Sequence, residues 1–236
     1  MTTAIIVQAR MTSTRLPGKV MMDLAGKPAL SHVLERCRAV VGADIVVCAV
    51  PDAPESALIV ETARALGCAA VAGDETDVLG RYLAAARAVS ADVVMRVTSD
   101  CPLIDPAICA DVLALRARTG ADYAANNLTR TFPHGLDCEA FTTEALARAD
   151  RATAEPFDRE HVTPWLRRTL NGVNLAAADP SHVSERWTLD HPEDLAFLRA
   201  VFARLPTDRI ATTADVLAVL AAEPSLRDIN AMHRQY

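Results

Sequence analysis

Aromatic residues make up only 4% of the 236-residue chain, so it has few of the platforms on which single-stranded nucleic acids stack. An excess of positive charge is also missing. The formal net charge is -6, the opposite of the electrostatic footprint of a nucleic-acid-binding domain. No apolar run approaches the ~18 residues that a membrane span requires. The first residues show no charged region followed by an apolar core and a cleavage site, so a secretory leader is not expected. The six cysteines (Cys37, Cys48, Cys68, Cys101, Cys109 and Cys138) form no CxxC pair, and the six histidines have no metal-ligand spacing. Those cysteines are expected to be reduced, without disulfides or structural zinc, in a cytoplasmic protein. Neither GxGxxG nor GxxxxGK[ST] occurs, which removes the dinucleotide fingerprint and the P-loop. Internal repeats, low-complexity tracts and a recognisable interdomain linker are lacking too.

What remains is a chain that is 51% hydrophobic and long enough to bury one large core. Its first half alternates short apolar runs with helical patterns: strand, Ala29 to Val40 helical, Asp44 to Val50 strand, Glu55 to Leu66 helical, Ala69 to Ala72 strand, Val78 to Val89 helical, Asp92 to Val97 strand. This βαβαβαβ order predicts an α/β fold with a doubly wound, mostly parallel sheet. The second half is less regular. Helices are expected from Pro106 to about Arg118, over Thr143 to Ala149, Glu160 to Leu170, Pro192 to Leu205 and Thr213 to Ala222. Short strands are expected at Asp122 to Ala125, Leu136 to Phe141, Val173 to Ala177 and Arg186 to Leu189. The whole chain, 1–236, reads as one domain, with a dimerisation arm possible around 122–175.

The chemistry concentrates after the first strand. Gln8 and Ala9 end the run Ile5-Ile6-Val7, and Arg10, Ser13, Thr14, Arg15, Pro17, Gly18 and Lys19 follow within ten residues. Gly26-Lys27 stands just before the next helix. Arg10, Arg15, Lys19 and Lys27 face only Asp23 in an otherwise acidic chain. Open α/β sheets bind ligands at their strand ends, and Arg, Lys, hydroxyls and loop amides suit phosphate oxygens. A polyanion site is therefore expected, against the plainer alternative of a solvated basic loop.

Two carboxylates stand out. Asp100 lies just beyond the strand Asp92 to Val97, where it could hold a divalent metal or accept loop amides. Asp190, in RWTLDHPEDL, reads first as a helix cap, with Pro192 in the first turn and Glu193 completing a capping box. Arg96 and Arg186 precede these carboxylates and suit either ion pairs or anchors for an anion. Cys101 is not expected to act as a nucleophile, because no helix N-terminus or basic partner is evident to lower its pKa.

The stretch QARMTSTRLPGKVMMDLAGKPAL resembles the opening of the cytidylyltransferases related to spore coat polysaccharide biosynthesis protein F, kin to the acylneuraminate and ketodeoxyoctonate cytidylyltransferases. The segments GDETDVLGRY, RVTSDCPLID, FPHGLDCEAF and RWTLDHPEDL continue the resemblance in the same order, from Ala4 to about Leu195. Thr12 and Ser99 stand where many relatives carry Gly, and His134 stands where relatives vary. The resemblance implies a Rossmann-like fold of the nucleotide-diphospho-sugar transferase type. It also implies transfer of CMP from CTP to a small acidic acceptor (a sugar acid, phosphonate or polyol phosphate) with release of pyrophosphate, in surface polysaccharide or CMP-conjugate synthesis. Arg10, Arg15, Lys19 and Asp100 would then be catalytic, and Gln8, Ala9, Arg10, Ser13, Thr14, Arg15, Lys19, Lys27, Gly73, Asp77, Val78 and Arg96 would bind the nucleotide. His134, Asp137, Glu139, His161 and Arg186 would bind the acceptor, and Asp100 with Asp190 would hold Mg²⁺. A homodimer is implied as well. The alternatives are a sugar-1-phosphate nucleotidyltransferase using another nucleotide and a non-catalytic nucleotide-binding protein.

Overall fold

Ile5, Ile6 and Val7 lie in β1 (Thr3–Gln8), the middle of the parallel part of a seven-stranded sheet. The computed structural model describes residues 1–234. After β1 come a hairpin of β2 (Asp23–Leu24) and β3 (Lys27–Pro28), then α1 (Ala29–Arg38), β4 (Ile45–Pro51), α2 (Ala57–Ala65), β5 (Ala69–Gly73), α3 (Val78–Ala88) and β6 (Val93–Thr98). The second half contributes α4 (Pro106–Thr119), β7 (Tyr123–Ala125), β8 (Glu139–Thr142), α5 (Thr143–Ala152), α6 (Pro156–His161), α7 (Pro164–Thr169), β9 (Val173–Asn174), α8 (Pro192–Phe202) and α9 (Thr213–Ala222).

The sheet order is β5-β4-β1-β6-β8-β7-β9. β5, β4, β1 and β6 are parallel, whereas β8 runs antiparallel to both β6 and β7. The fold is thus α/β and Rossmann-like with a mostly parallel sheet, as the alternation of elements predicts. The chain winds from β1 out to β5, then returns to place β6 on the other flank of β1. That reversal opens a crevice beyond the carboxyl ends of β1 and β6, where ligands of open α/β sheets bind.

Period-2 alternation along each strand feeds two cores. Ile5 and Val7 pack with Leu30, Leu34, Ile59 and Val112 on the α1–α2–α4 face. Ala4 and Ile6 pack with Leu79, Tyr82, Leu83 and Leu146 on the α3–α5 face. A third cluster joins Leu16 and Leu24 to Trp187, Leu189, Phe197 and Leu220, tying the loop after β1 to α8 and α9. The six cysteines are all buried and unpaired. Among the described residues no helix is long and apolar enough to cross a membrane.

Three local expectations are corrected. The helix expected over 160–170 is two helices, α6 and α7, separated by Val162 at φ 70°. Thr163 donates its N–H to the His161 carbonyl across that residue (2.8 Å), closing a tight turn. Leu136 to Phe141 is a strand only from Glu139 onward. Arg186 to Leu189 is not a strand but an isolated bridge between His134 and Arg186. Its backbone is engaged elsewhere, because Leu189 donates to the Asp100 carbonyl.

Candidate active site

The loop after β1 is shaped by burying its apolar residues and leaving its cations outside. Leu16 and Val20 are 8% and 1% exposed, while Arg10, Thr14 and Arg15 stay exposed. Gly18 adopts φ 71°, donates its N–H to the Met11 carbonyl at 2.9 Å, and starts a 3₁₀ turn at Lys19. Positive φ costs glycine little, so the loop can fold back and send Lys19 across the crevice.

The Lys19 ammonium lies 2.9 Å from Asp100 Oδ2 and 2.9 Å from Asp190 Oδ1. Arg15 adds a second cation 2.7 Å from Asp190 Oδ1. Thr98, the last residue of β6, donates its hydroxyl to Asp100 Oδ1 at 2.5 Å. Burial raises the Asp100 carboxyl, but Lys19 and the Thr98 hydroxyl outweigh it, so it sits below the ordinary carboxylate range. Burial opposes ionisation of Asp190 as well, yet Lys19 and Arg15 bring it down to about 2. Burial also disfavours the Lys19 ammonium, and the two carboxylates reverse that effect and raise its pKa.

These groups line a cleft of about 410 Å³ at the β1–β6 crevice. Of the residues singled out from sequence, Gln8, Ala9, Arg10, Ser13, Thr14, Arg15, Lys19, Val78, Arg96, Asp100, His161 and Asp190 line it together. Arg96 Nη1 is fixed on Glu139 Oε2 at 2.9 Å, whereas its Nε is buried without a hydrogen-bond partner. Gln8 Oε1 is likewise buried and unpartnered.

The other sequence-predicted residues lie elsewhere. Lys27 pairs with Glu35 beside a second cavity containing His32 and Phe202. The hairpin turn, with Ala25 at φ 51° and Gly26 at φ 86°, reverses the chain and directs Lys27 along α1. Gly73 ends β5, and Asp77 caps α3 by accepting the Gly80 N–H at 2.9 Å while pairing with Arg159. Glu139 is 1% exposed and serves Arg96, Arg167, Tyr123 and Thr163. Asp137 pairs with Arg130 at 3.1 Å. His134 Nδ1 lies 3.4 Å from Arg186 Nη1, and Arg186 is buried in a two-pronged pair with Asp194 at 2.8 and 2.7 Å. Asp190 is not the helix cap: His191 is, and Asp194 rather than Glu193 closes the capping box. Asp194 has that place because it lies three residues after His191 and accepts its N–H at 3.0 Å.

Sequence reasoning missed Arg81, Thr98 and Ser99, all of which line the cleft. Arg81 was legible as the i+3 neighbour of Val78 on α3, and Thr98 as the last residue of the strand beside the crevice. Arg81 braces the turn before α3 through the Asp74 carbonyl at 2.6 Å. Thr12 reaches the same turn, donating its hydroxyl to Glu75 Oε1 at 2.7 Å.

The arrangement can grip a polyanion on one wall and a hard cation on the other. Among the described residues no group of three or more His, Cys, Asp and Glu side chains could hold a metal. Two carboxylates nevertheless converge on a single point of positive charge. Such a pair fits Mg²⁺, which takes one or two carboxylates and completes its shell with substrate phosphates and water.

A family model described as cytidylyltransferase matches residues 4–201. Spore coat polysaccharide biosynthesis protein SpsF of Bacillus subtilis is 27% identical, over 93% of this chain and 94% of that protein. A 3-deoxy-manno-octulosonate cytidylyltransferase of Anaeromyxobacter dehalogenans is 28% identical, over 85% of this chain and 97% of its own length. The solved structure of a cytidylyltransferase from Leptospira borgpetersenii superposes with a TM-score of 0.91 at 28% identity, covering 96% of this chain and 97% of that one.

Proposed function

The chain belongs to the cytidylyltransferase family, and on that premise we propose that it transfers CMP from CTP to a small anionic acceptor and releases pyrophosphate. The observation that carries this reading is the meeting of Arg15 and Lys19 with Asp100 and Asp190 in one cleft. Arg10, Ser13, Thr14 and Arg15 offer charged and neutral donors to the triphosphate. Lys19 is poised to follow the charge that builds on the departing pyrophosphate. Asp100 and Asp190 would hold Mg²⁺, which when bound supplies charge neutralisation at the phosphate oxygens.

The acceptor oxygen forms a bond to the α-phosphorus, and the bond from that phosphorus to the β-phosphate bridging oxygen breaks in line. Pyrophosphate takes the electron pair. Catalysis is then largely positioning and electrostatics. Arg96, fixed on Glu139 and lining the cleft, is the side chain suited to an anionic acceptor. A phosphonate or phosphate oxygen needs no general base. A sugar-acid hydroxyl must lose its proton, and His161 and Glu160 are titratable groups on the cleft wall outside the two-carboxylate pair.

The same reading includes a cytoplasmic homodimer, in which Phe157, 63% exposed on α6 within the 122–175 region, would be a contact. Light scattering in solution tests the dimer. The activity test is pyrophosphate release with Mg²⁺, each nucleoside triphosphate being paired with sugar acids, aminoalkylphosphonates and polyol phosphates. Release with CTP and one acceptor class is the expected result. Release with another nucleotide and a sugar 1-phosphate would favour the alternative enzyme. Tight CTP binding without release across the panel would favour a binding protein.

A further inference from the structure

The last described segment of the chain returns to the carboxylate side of the cleft. Residues Pro224–Asp228 and Ala231–His233 form two 3₁₀ turns anchored by Leu226 in the third core cluster. From them Arg227 Nε donates to Glu185 Oε1 at 2.5 Å, and Asn230 Nδ2 donates to the Arg186 carbonyl at 3.1 Å and to Asp194 Oδ1 at 3.0 Å. The segment lies beyond residue 201, where the family model ends.

Asp194 is fully buried. Its Oδ2 accepts the backbone N–H groups of Asp190 and His191, each at 3.0 Å, and Arg186 Nη2 at 2.7 Å. Its Oδ1 takes Arg186 Nε at 2.8 Å together with Asn230. Arg186 Nη2 also stands 3.5 Å from Asp190 Oδ2. The carboxylate of Asp194 is thus the pin on which the Asp190 backbone turns. Among the described residues Asn230 is the only donor on that pin from outside residues 186–194, and it is 1% exposed. Arg186 and the two amides belong to the same stretch of chain as Asp190. Asn230 comes from a different stretch, seated by Leu226 in the third core cluster against Trp187, Leu189 and Phe197.

We propose that Asn230 is a positioning residue for Asp190, holding Asp194 and the Arg186 carbonyl so that Asp190 Oδ1 stays aimed at the point it shares with Asp100. The inference rests on the metal reading above for its consequence, but not for its geometry. Partners that orient a ligating carboxylate matter for metal affinity, and losing one costs on the order of 10–100-fold.

The test uses the full chain with Asn230→Ala and Asn230→Leu. The leucine side chain has nearly the shape of asparagine and leaves no cavity, so a folded protein remains for measurement if the alanine variant does not fold. Arg227→Ala, which loosens the same segment without touching Asp194, is the control. Amide exchange without any ligand should speed up at Asp190 and His191 in the Asn230 variants. Manganese uptake in the presence of CTP, read from the electron paramagnetic resonance of free Mn²⁺, should weaken about tenfold or more. Metal-free CTP affinity should hold at the wild-type value. Unchanged exchange overturns the proposal. So does faster exchange with wild-type Mn²⁺ affinity, or an Arg227→Ala variant that loses Mn²⁺ equally. If the wild type and Asp100→Asn alike take up no Mn²⁺, the metal reading fails, and the exchange experiment alone decides whether Asn230 positions Asp190.

Discussion

Leu189 donates its backbone N–H to the Asp100 carbonyl at 2.8 Å. That bond, reinforced by the Thr188 hydroxyl on the same carbonyl at 3.1 Å, joins two segments about ninety residues apart and sets Asp190 beside Asp100. Because backbone makes the junction, replacing the Asp190 side chain should remove its charge and leave the cleft in place. The Asp190 carboxyl is depressed to about 2, burial being outweighed by Lys19 and Arg15. A depressed carboxyl stabilises the fold above its unfolded value and loses that contribution as pH falls through the folded one. Acid titration of unfolding should therefore show stability lost between about pH 4 and pH 2, of order ~2 kcal/mol for this group. In Asp190→Asn that part of the slope should be absent. An unchanged slope would show that Asp190 is not held by Lys19 and Arg15.

Lys19 is the joint between the basic loop and both carboxylates. Lys19→Met keeps much of the stem and removes the ammonium, leaving Asp100 and Asp190 facing one another. Pyrophosphate release should fall at least about tenfold, the minimum for losing a preorganised charged contact in the transition state. Proton uptake by the pair should move to higher pH, since like charges disfavour ionisation. Near-normal turnover would remove Lys19 from the chemistry.

The resemblance implies an acceptor-binding role for Glu139, and its surroundings point to a structural task. Its two oxygens take Arg96, Arg167, Tyr123 and Thr163 at 2.5 to 3.2 Å, and its side chain is 1% exposed. Arg96 and Arg167 lower its pKa against the opposing effect of burial. Glu139→Gln should cost about 3–5 kcal/mol in denaturant unfolding, because it strands two guanidinium groups. A variant of wild-type stability with altered acceptor choice would return Glu139 to the substrate.

The parallel half of the fold was legible because β1, β4 and β6 are short β-branched runs separated by helical patterns. Asp105 before Pro106 caps α4 as its position suggests, accepting the Ala107 N–H at 2.9 Å. The basic loop was legible because its charges stand out locally against an acidic chain. In the second half the helices α4, α5, α8 and α9 were legible, but the strand pairings and side-chain partners were not. Whether Glu139, Arg186 and Asp194 face a ligand or one another depends on long-range pairing, which spacing along one strand does not encode. Lys27 shows the same limit at short range. Ala25-Gly26 makes a two-residue hairpin with positive φ at both positions, the turn chemistry that suits strand twist, and that single turn carries Lys27 away from the cleft.

Gly135 carries this long-range logic into a last substitution. It sits at φ 109°, and a Cβ there would lie 2.7 Å from the Trp187 carbonyl carbon and 2.8 Å from the Thr188 nitrogen. The bridge between His134 and Arg186 runs past it. Gly135→Ala must therefore push residues 187 and 188 aside, besides imposing backbone strain of about 1–3 kcal/mol. Thr188 and Leu189 hold the Asp100 carbonyl, so the displacement passes directly to the two-carboxylate pair. A shift of ~1 Å there can cost ~100-fold in rate. Gly120→Ala is the matching control: φ is 65°, and nothing lies within 4 Å of the added carbon. Both variants should melt earlier than the wild type, but only Gly135→Ala should lose turnover in the folded protein. Equal turnover in the two would mean that the 187–189 segment adapts without moving Asp190, and that the pair is held from α8 alone.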